Sequence, residues 1–336
     1  MSEHGSARPR PDANIHIFST HSLCKWWKNH LSCGLPAAMA YSLHFVVVLF
    51  AAAVCAGFLG ALLGVGGGIF IVPALVLMFH LPIKIAVAAS LVSVIATSNA
   101  GGSSYVEQHI TNLRLGMFLE VATTIGALSG SVLALYLKEW LMLLLFAALL
   151  AYMAWTAFVT RHRDDRLIAA GAYATAAPDA WSRRLELSGR YHDEALDREV
   201  DYVVNGCGVG LGISYLAGVC SGLLGVGGGV LKVSAMNRYM NVPMKAAVGT
   251  SKMMIGVTAA VGSILFYLAG LIHFYVVAPV ALGTTTGATI GTLVMNRLRS
   301  VMLKRIFTAL MIYLAYGMLV KALALRFHVV LPSLGS

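Results

Sequence analysis

From Leu43 to Val159, and again from Val203 to Leu325, the chain runs in long apolar blocks broken by short polar punctuation. Alternation with a period of two is missing, so helices rather than a β-barrel are expected. A hydrocarbon core about 30 Å thick takes roughly 20 apolar residues per helix. On that scale the first block divides into five segments, Leu43 to Leu63, Val65 to Phe79, Ile85 to Gly102, Leu113 to Leu137 and Trp140 to Val159. The second divides likewise, into Val204 to Leu224, Val226 to Met240, Ala246 to Ala269, Phe274 to Met295 and Val301 to Leu325. Between the blocks, residues 161–201 carry both signs of charge and read as a hydrophilic linker. Arg161, Arg163 and Arg166 abut the end of a span, which puts that linker on the cytoplasmic side.

The two blocks also match each other. The string LLGVGGG occurs twice, with Gly64 in the first copy and Gly225 in the second, an offset of 161 residues. The same offset carries Pro82 to Pro243, Lys84 to Lys245, Ser90 to Ser251, Gly101 to Gly262, Gly126 to Gly287 and Gly130 to Gly291 without a gap. Self-similarity over such a span predicts a duplicated architecture. The expected fold is an all-α polytopic membrane protein of two homologous repeats, each with four to five transmembrane or re-entrant helices. Residues 41–160 form the first repeat and 202–326 the second. Residues 1–40 are a tail and 327–336 a second, shorter tail. Lys25, Trp26, Trp27 and Lys28 suit an interfacial anchor, and the first forty residues lack the layout of a cleaved signal peptide. Whether the repeats are inverted or parallel turns on the short second segment of each. Five crossings invert the second half and four leave it parallel. Counting extramembrane Lys and Arg under both models gives equal results.

Composition agrees with a membrane chain in a cell membrane, inner or plasma: 58% of residues are hydrophobic and 11% charged. The net charge of +10 sits in short loops and tails, where topology signals belong, and no basic stripe interleaved with aromatics points to nucleic acid. The five cysteines show no CxxC spacing. A GxSG-plus-histidine pair, an HExxH string and a metal-ligand cluster are all missing, so neither an enzyme nor a bound metal or cofactor is expected.

The glycine triplets, Gly66, Gly67, Gly68 and Gly227, Gly228, Gly229, carry the first candidate chemistry. Each glycine costs about 1 kcal/mol against alanine inside a helix, so the triplets must permit something else. One reading is close helix packing. The other is that they bare backbone N–H groups at the head of the next helix, an anion site. The two are compatible. Paired glycine-interrupted segments at matching places in two repeats point to a midplane binding site.

Lys232 and Lys252 stand within apolar segments, where their first-half counterparts are Ile71 and Leu91. An intramembrane lysine needs a partner or water, and each of these either snorkels to the headgroups or serves a site. Glu120 is the one carboxylate well inside a segment. It either pairs with Arg114 or carries a coupling proton. The excess of intramembrane positive charge favours an anionic ligand and counts against a cation exchanger. Thr250 and Ser251, beside Lys252, offer hydroxyls suited to sulfonate, sulfite or carboxylate oxygens, although such hydroxyls often bond their own backbone. Ser90 and Asn99 join the candidates because the offset sets them opposite this cluster.

At these residues the sequence resembles the TauE/SafE family of membrane permeases, associated with sulfite and organosulfonate export or uptake. The resemblance rests on GFLGALLGVGGGIFIVPAL (57–75), NLRLGMFLEVATTIGALSG (112–130), GVCSGLLGVGGGVLKVSAM (218–236) and MKAAVGTSKMMIGVTAAVGS (244–263). It covers nearly everything outside the tail and linker. It implies a transporter of small sulfur-containing or carboxylate anions, coupled to an ion gradient such as that of protons, and a homo-oligomer is compatible with it. Two departures are Ser234 where a proline is often seen and Lys252 where an apolar residue or asparagine commonly follows the serine. The rival readings are an anion channel and a non-transporting membrane scaffold.

Overall fold

The computed structural model describes residues 43–62, 67–107, 110–159, 177–193, 198–295 and 300–327. The tail with its tryptophan anchor, Gly66 and the arginines after the first block lie outside the described residues. Five helices form the first half: α1 (Leu43–Leu62), α2 (Gly68–Leu77), α3 (Ile83–Glu107), α4 (Leu113–Tyr136) and α5 (Glu139–Val159). A short helix α6 (Ala180–Arg184) and a hairpin of β1 (Gly189–Asp193) and β2 (Arg198–Tyr202) follow. The second half is α7 (Cys207–Leu224), α8 (Gly229–Tyr239), α9 (Met244–Leu268), α10 (Phe274–Met295) and α11 (Ser300–Phe327). The starts of α2 and α8, α3 and α9, α4 and α10, and α5 and α11 are each separated by 161 residues.

Among the described residues, seven helices are long and apolar enough to cross a membrane. The chain is a multi-pass, all-α membrane protein. At 1.5 Å per residue α2 and α8 reach only about 15 and 17 Å, half a hydrocarbon core. Pro82 and Pro243 stand just before the first residues of α3 and α9, at helix starts, where a proline costs least.

Helix direction follows from which residues meet. A methyl built on Gly283 would stand 2.7 Å from the carbonyl oxygen of Phe50, and one on Gly287 2.1 Å from that of Val54. Residue numbers rise together, so α1 and α10 lie side by side and parallel. The pairs Gly218 with Thr123 and Gly222 with Ala127 make α7 and α4 parallel in the same way. By contrast, Gly262 meets Leu91 while Gly256 meets Ser98, so α3 and α9 are antiparallel. Arg326 at the end of α11 stacks 5.5 Å from the ring of Trp140 at the start of α5, so this pair is antiparallel too. The corresponding helices α3 and α9, and α5 and α11, therefore run in opposite directions.

The latter part of the linker is not an extended tether. Its hairpin pairs Gly189 with Tyr202 and Asp193 with Arg198. Leu187, Tyr191, Val200 and Tyr202 form one buried cluster with Leu115 and Leu119 of α4, Met236 of α8, Met240 just beyond its end and Met254 of α9. Apolar positions alternate along β2, and those facing the bundle are covered. The Asp179 carboxylate accepts the Cys207 N–H at 2.7 Å, which places a negative charge at the start of α7, where the helix dipole favours it. Residues 177–193 and 198–202 thus form a cap over one end of the bundle.

Candidate functional site

Gly225 closes α7 with φ +72°, and Gly227 and Gly228 follow at +80° and +67°. An L side chain is strained at all three. These values fold the chain back so that α8 returns beside α7. A methyl on Gly228 would lie 2.6 Å from the carbonyl oxygen of Ala217. The second triplet therefore packs closely, the first of the two uses expected for it. The tip it forms touches the tip of the first half: a methyl on Gly68 would stand 2.7 Å from the Gly225 carbonyl oxygen. Ser90 binds the same place, donating its hydroxyl to the Gly225 carbonyl at 2.7 Å.

The two candidate serines make the same contact in both halves. Ser90 lies 3.4 Å from the Gly68 carbonyl and Ser251 donates to the Gly229 carbonyl at 3.2 Å. The Ser251 hydroxyl holds α8 against α9 and the Ser90 hydrogen goes to Gly225, leaving no hydroxyl hydrogen for a ligand in this arrangement.

One turn into α8, Lys232 is completely buried. It does not snorkel. Its ammonium donates to Thr258 Oγ1 of α9 at 2.7 Å and lies 3.7 Å from Glu120 Oε2 of α4. Thr258 also stands 2.8 Å from Glu120 Oε1, and Thr123 donates to Oε2 at 2.8 Å. The Glu120 side chain keeps 13% of its surface exposed, against 0% for Lys232. Three helices thus converge on one buried ion pair with two hydroxyls.

The pairing of Glu120 with Arg114 is not made. Six positions along a helix turn a side chain by about 240°, and only neighbours three or four apart meet. Arg114 instead binds Glu186 of the cap. The positive charge of Lys232 is accordingly balanced in this structure rather than in excess.

The remaining candidates are dispersed. Thr250 accepts the backbone N–H of Asn112 at 3.0 Å and so seats the loop before α4. Lys252 is partly buried, and its carbonyl accepts the Ser98 hydroxyl. It stands six residues from Thr258, on a different face of α9. Asn99 is exposed. The structure gathers Gly228, Gly229, Lys232, Ser251 and Glu120 into one region. Thr258 and Thr123 complete it and escaped the sequence reading, although the 161-residue offset pairs them with Thr97 and Thr284. On the cap side, an open cleft of about 260 Å³ is lined by Asn112, Arg114, Glu186, Ser188, Arg190 and Tyr202.

The family model of the sulfite exporter TauE/SafE matches residues 49–318. This chain belongs to the TauE/SafE family. The match takes in both halves and the cap between them, so the ion pair of Glu120 and Lys232 lies within the TauE/SafE region. Among its relatives is the "Probable membrane transporter protein YdhB" of Bacillus subtilis, 25% identical over 259 residues, covering 77% of this chain and 92% of that protein. The "Probable membrane transporter protein YunE" of the same organism is 24% identical over 275 residues, covering 77% and 93%. A "Probable membrane transporter protein" of Haemophilus influenzae is 31% identical over 127 residues, covering 37% and 47%. No solved structure matches the chain. TauE/SafE membership makes this a protein of a membrane-transporter family.

Proposed function

We propose that the protein carries small anions across the cell membrane by alternating access, with sulfite, organosulfonates and related sulfur-containing or carboxylate anions as the substrate class. It does so without catalysing a chemical reaction. The observation that carries the reading is a completely buried lysine one turn beyond a glycine-led helix start, in a chain whose family model is named for sulfite export. A buried ammonium beside the N-terminal end of a helix replaces the hydration of an anion. Lys232, Gly228 and Gly229 form the core of the binding region, with Ser251 holding the helix head. Gly227, Thr250, Gly67, Gly68, Ser90, Asn99 and Lys252 lie outside that core as positioning or route residues.

The two halves are read as inverted repeats. The opposed directions of α3 against α9 and α5 against α11 support this, as does the common 161-residue spacing. Rocking one half against the other about the meeting tips would expose the region to each side in turn, the usual behaviour of inverted repeats. The test reconstitutes the full chain in liposomes and follows labelled sulfite, taurine-like sulfonates and small carboxylates. Saturable uptake with competition among these anions is expected, and Lys232→Met abolishes it at equal protein content. Unsaturable passive flux would mean a channel, and no flux of any of them would mean a scaffold.

A further inference from the structure

We propose that Glu120 and the transported anion compete for Lys232, so that the site accepts one singly charged anion only when Glu120 has taken up one proton. The inference rests on the transporter reading above and adds its coupling and the charge class of its substrate.

The geometry gives the ammonium one strong counter-charge. Glu120 Oε2 is 3.7 Å from Lys232 Nζ, and both side chains are nearly or wholly covered. Charged groups on the elements packed against Glu120 are Lys232 and Arg238 on α8 and Lys245 and Lys252 on α9. From α7 come two thiols and Tyr215, whose hydroxyl is 3.3 Å from Ser129. Among the described residues, Lys232 is the cation within ion-pair distance. A second anion entering while Glu120 is ionised would meet a like charge in a poorly solvated place, which costs several kilocalories per mole uncompensated. Protonation of Glu120 removes that charge and leaves the ammonium in need of a partner.

The hydroxyls around Glu120 suit both states. Thr258 accepts from Lys232 and has one hydrogen to give, with two acceptors in reach: Glu120 Oε1 at 2.8 Å and the Met254 carbonyl at 2.9 Å. Thr123 has the same choice between Glu120 Oε2 at 2.8 Å and the Glu120 carbonyl at 3.0 Å. When the carboxylate is ionised, both hydroxyls donate to it. When it is protonated on Oε1, Thr258 turns to the Met254 carbonyl and accepts the new carboxylic O–H on its free lone pair, while Thr123 goes on donating to Oε2.

The charges balance through a whole cycle. The empty site holds one carboxylate and one ammonium, net zero. The loaded site holds one carboxylic acid, one ammonium and one monoanion, again net zero. The proton comes from water on the side where Glu120 is accessible and returns to water on the other side after the anion leaves. Both reorientations therefore move a neutral cluster through the low-dielectric region, the inexpensive way for ionisable groups to cross.

The experiment uses the full chain in proteoliposomes and labelled ethanesulfonate, a permanent monoanion that cannot carry the proton itself. An inward acid gradient should accumulate it about tenfold per pH unit, the yield of one proton per anion. A valinomycin-clamped potassium potential without a pH gradient should accumulate none, whereas movement of one uncompensated charge would give about fiftyfold per 100 mV. Glu120→Gln should lose accumulation and retain exchange of internal for external ethanesulfonate, because its empty site carries a net positive charge and its loaded site does not. Potential-driven accumulation by the unmodified chain, or gradient-driven accumulation by Glu120→Gln, overturns the proposal while the transporter reading stands. If Glu120→Gln does not fold, the two measurements on the unmodified chain decide the matter. Absence of all flux and exchange from the unmodified chain overturns the transporter reading and this inference with it.

Discussion

Gly68 and Gly225 bring the two halves together at the tips of their glycine turns, with room between them for a hydrogen and not for a methyl group. A Cβ on Gly68 would lie 2.7 Å from the Gly225 carbonyl oxygen, 2.8 Å from Val94 Cγ2 and 2.9 Å from Ser90 Oγ. The backbone oxygen cannot swing aside as a side-chain end would, so the tips must part to admit any side chain.

Gly68→Ala is therefore expected to destabilise the protein by about 1–3 kcal/mol, the range for overpacking, and to lower saturable anion uptake at matched protein content. Gly212→Ala is the comparison, since nothing lies within 4 Å of its added methyl. That change should be neutral or stabilising by up to about 1 kcal/mol. Thermal unfolding in detergent reads both. Equal midpoints for the two variants would refute the contact between the tips.

Removing one member of the ion pair leaves the other buried without its counter-charge. Lys232→Met and Glu120→Leu should each cost about 3–5 kcal/mol, while the double variant should recover most of that loss. A coupling energy near zero in the thermal double-mutant cycle would show that the two do not interact. Uptake should be absent from all three variants even where stability returns.

Ser251→Ala deletes a hydroxyl that holds α8 by the Gly229 carbonyl, and Ser90→Ala one that holds the tip of the second half by the Gly225 carbonyl. Each should lower stability by about 1 kcal/mol, the net worth of one hydrogen bond. The Ser90 bond is the shorter, 2.7 Å against 3.2 Å, so its loss should be the larger of the two. Loss of all anion binding in Ser251→Ala, with unchanged stability, would assign that hydroxyl to the ligand instead.

The cap carries its own pH response through Tyr202. Burial pushes its phenol above the usual tyrosine value, with the Asn112 side-chain hydrogen bond pulling the other way. The folded phenol thus holds its proton more tightly than the unfolded one. The stability this contributes is complete below about pH 10, the ordinary tyrosine value, and fades as pH rises through the higher folded value. The difference in tyrosinate absorbance between the unmodified chain and Tyr202→Phe should show a late-titrating phenol. Protease sensitivity of the cap should rise over the same range in the unmodified chain.

The exposed pair of Arg114 and Glu186 should matter little. Both side chains are well over half exposed, and such pairs contribute about 0.2–1 kcal/mol. Glu186→Gln is expected to leave the thermal midpoint nearly unchanged, and a large fall would mean that this pair holds the cap down.

Helix positions were legible in the chain because lipid imposes a length and an apolar composition on each span, both of which are local properties. Phe274–Met295 matches the expected segment at both ends, and α1, α4 and α5 agree to within a residue at each end. The cap was read as linker because its two strands are short and charged, and their apolar face is half of a surface completed by α4, α8 and α9. Lys232 and the glycine turns stood out by composition. Thr258 did not, because a threonine in an apolar helix is commonplace until something charged is placed beside it.

The amino-acid sequence by itself determined that this is a helical membrane protein of the TauE/SafE type, where its helices lie and which lysine has no business in lipid without a partner. Those are statements about single segments and the solvent around them. Only the tertiary structure decided that Glu120 meets Lys232, that Ser90 and Ser251 are spent on glycine carbonyls and that α3 runs against α9 and α5 against α11. Each of these joins residues far apart in the chain, and local composition is the same whichever neighbour a helix face receives.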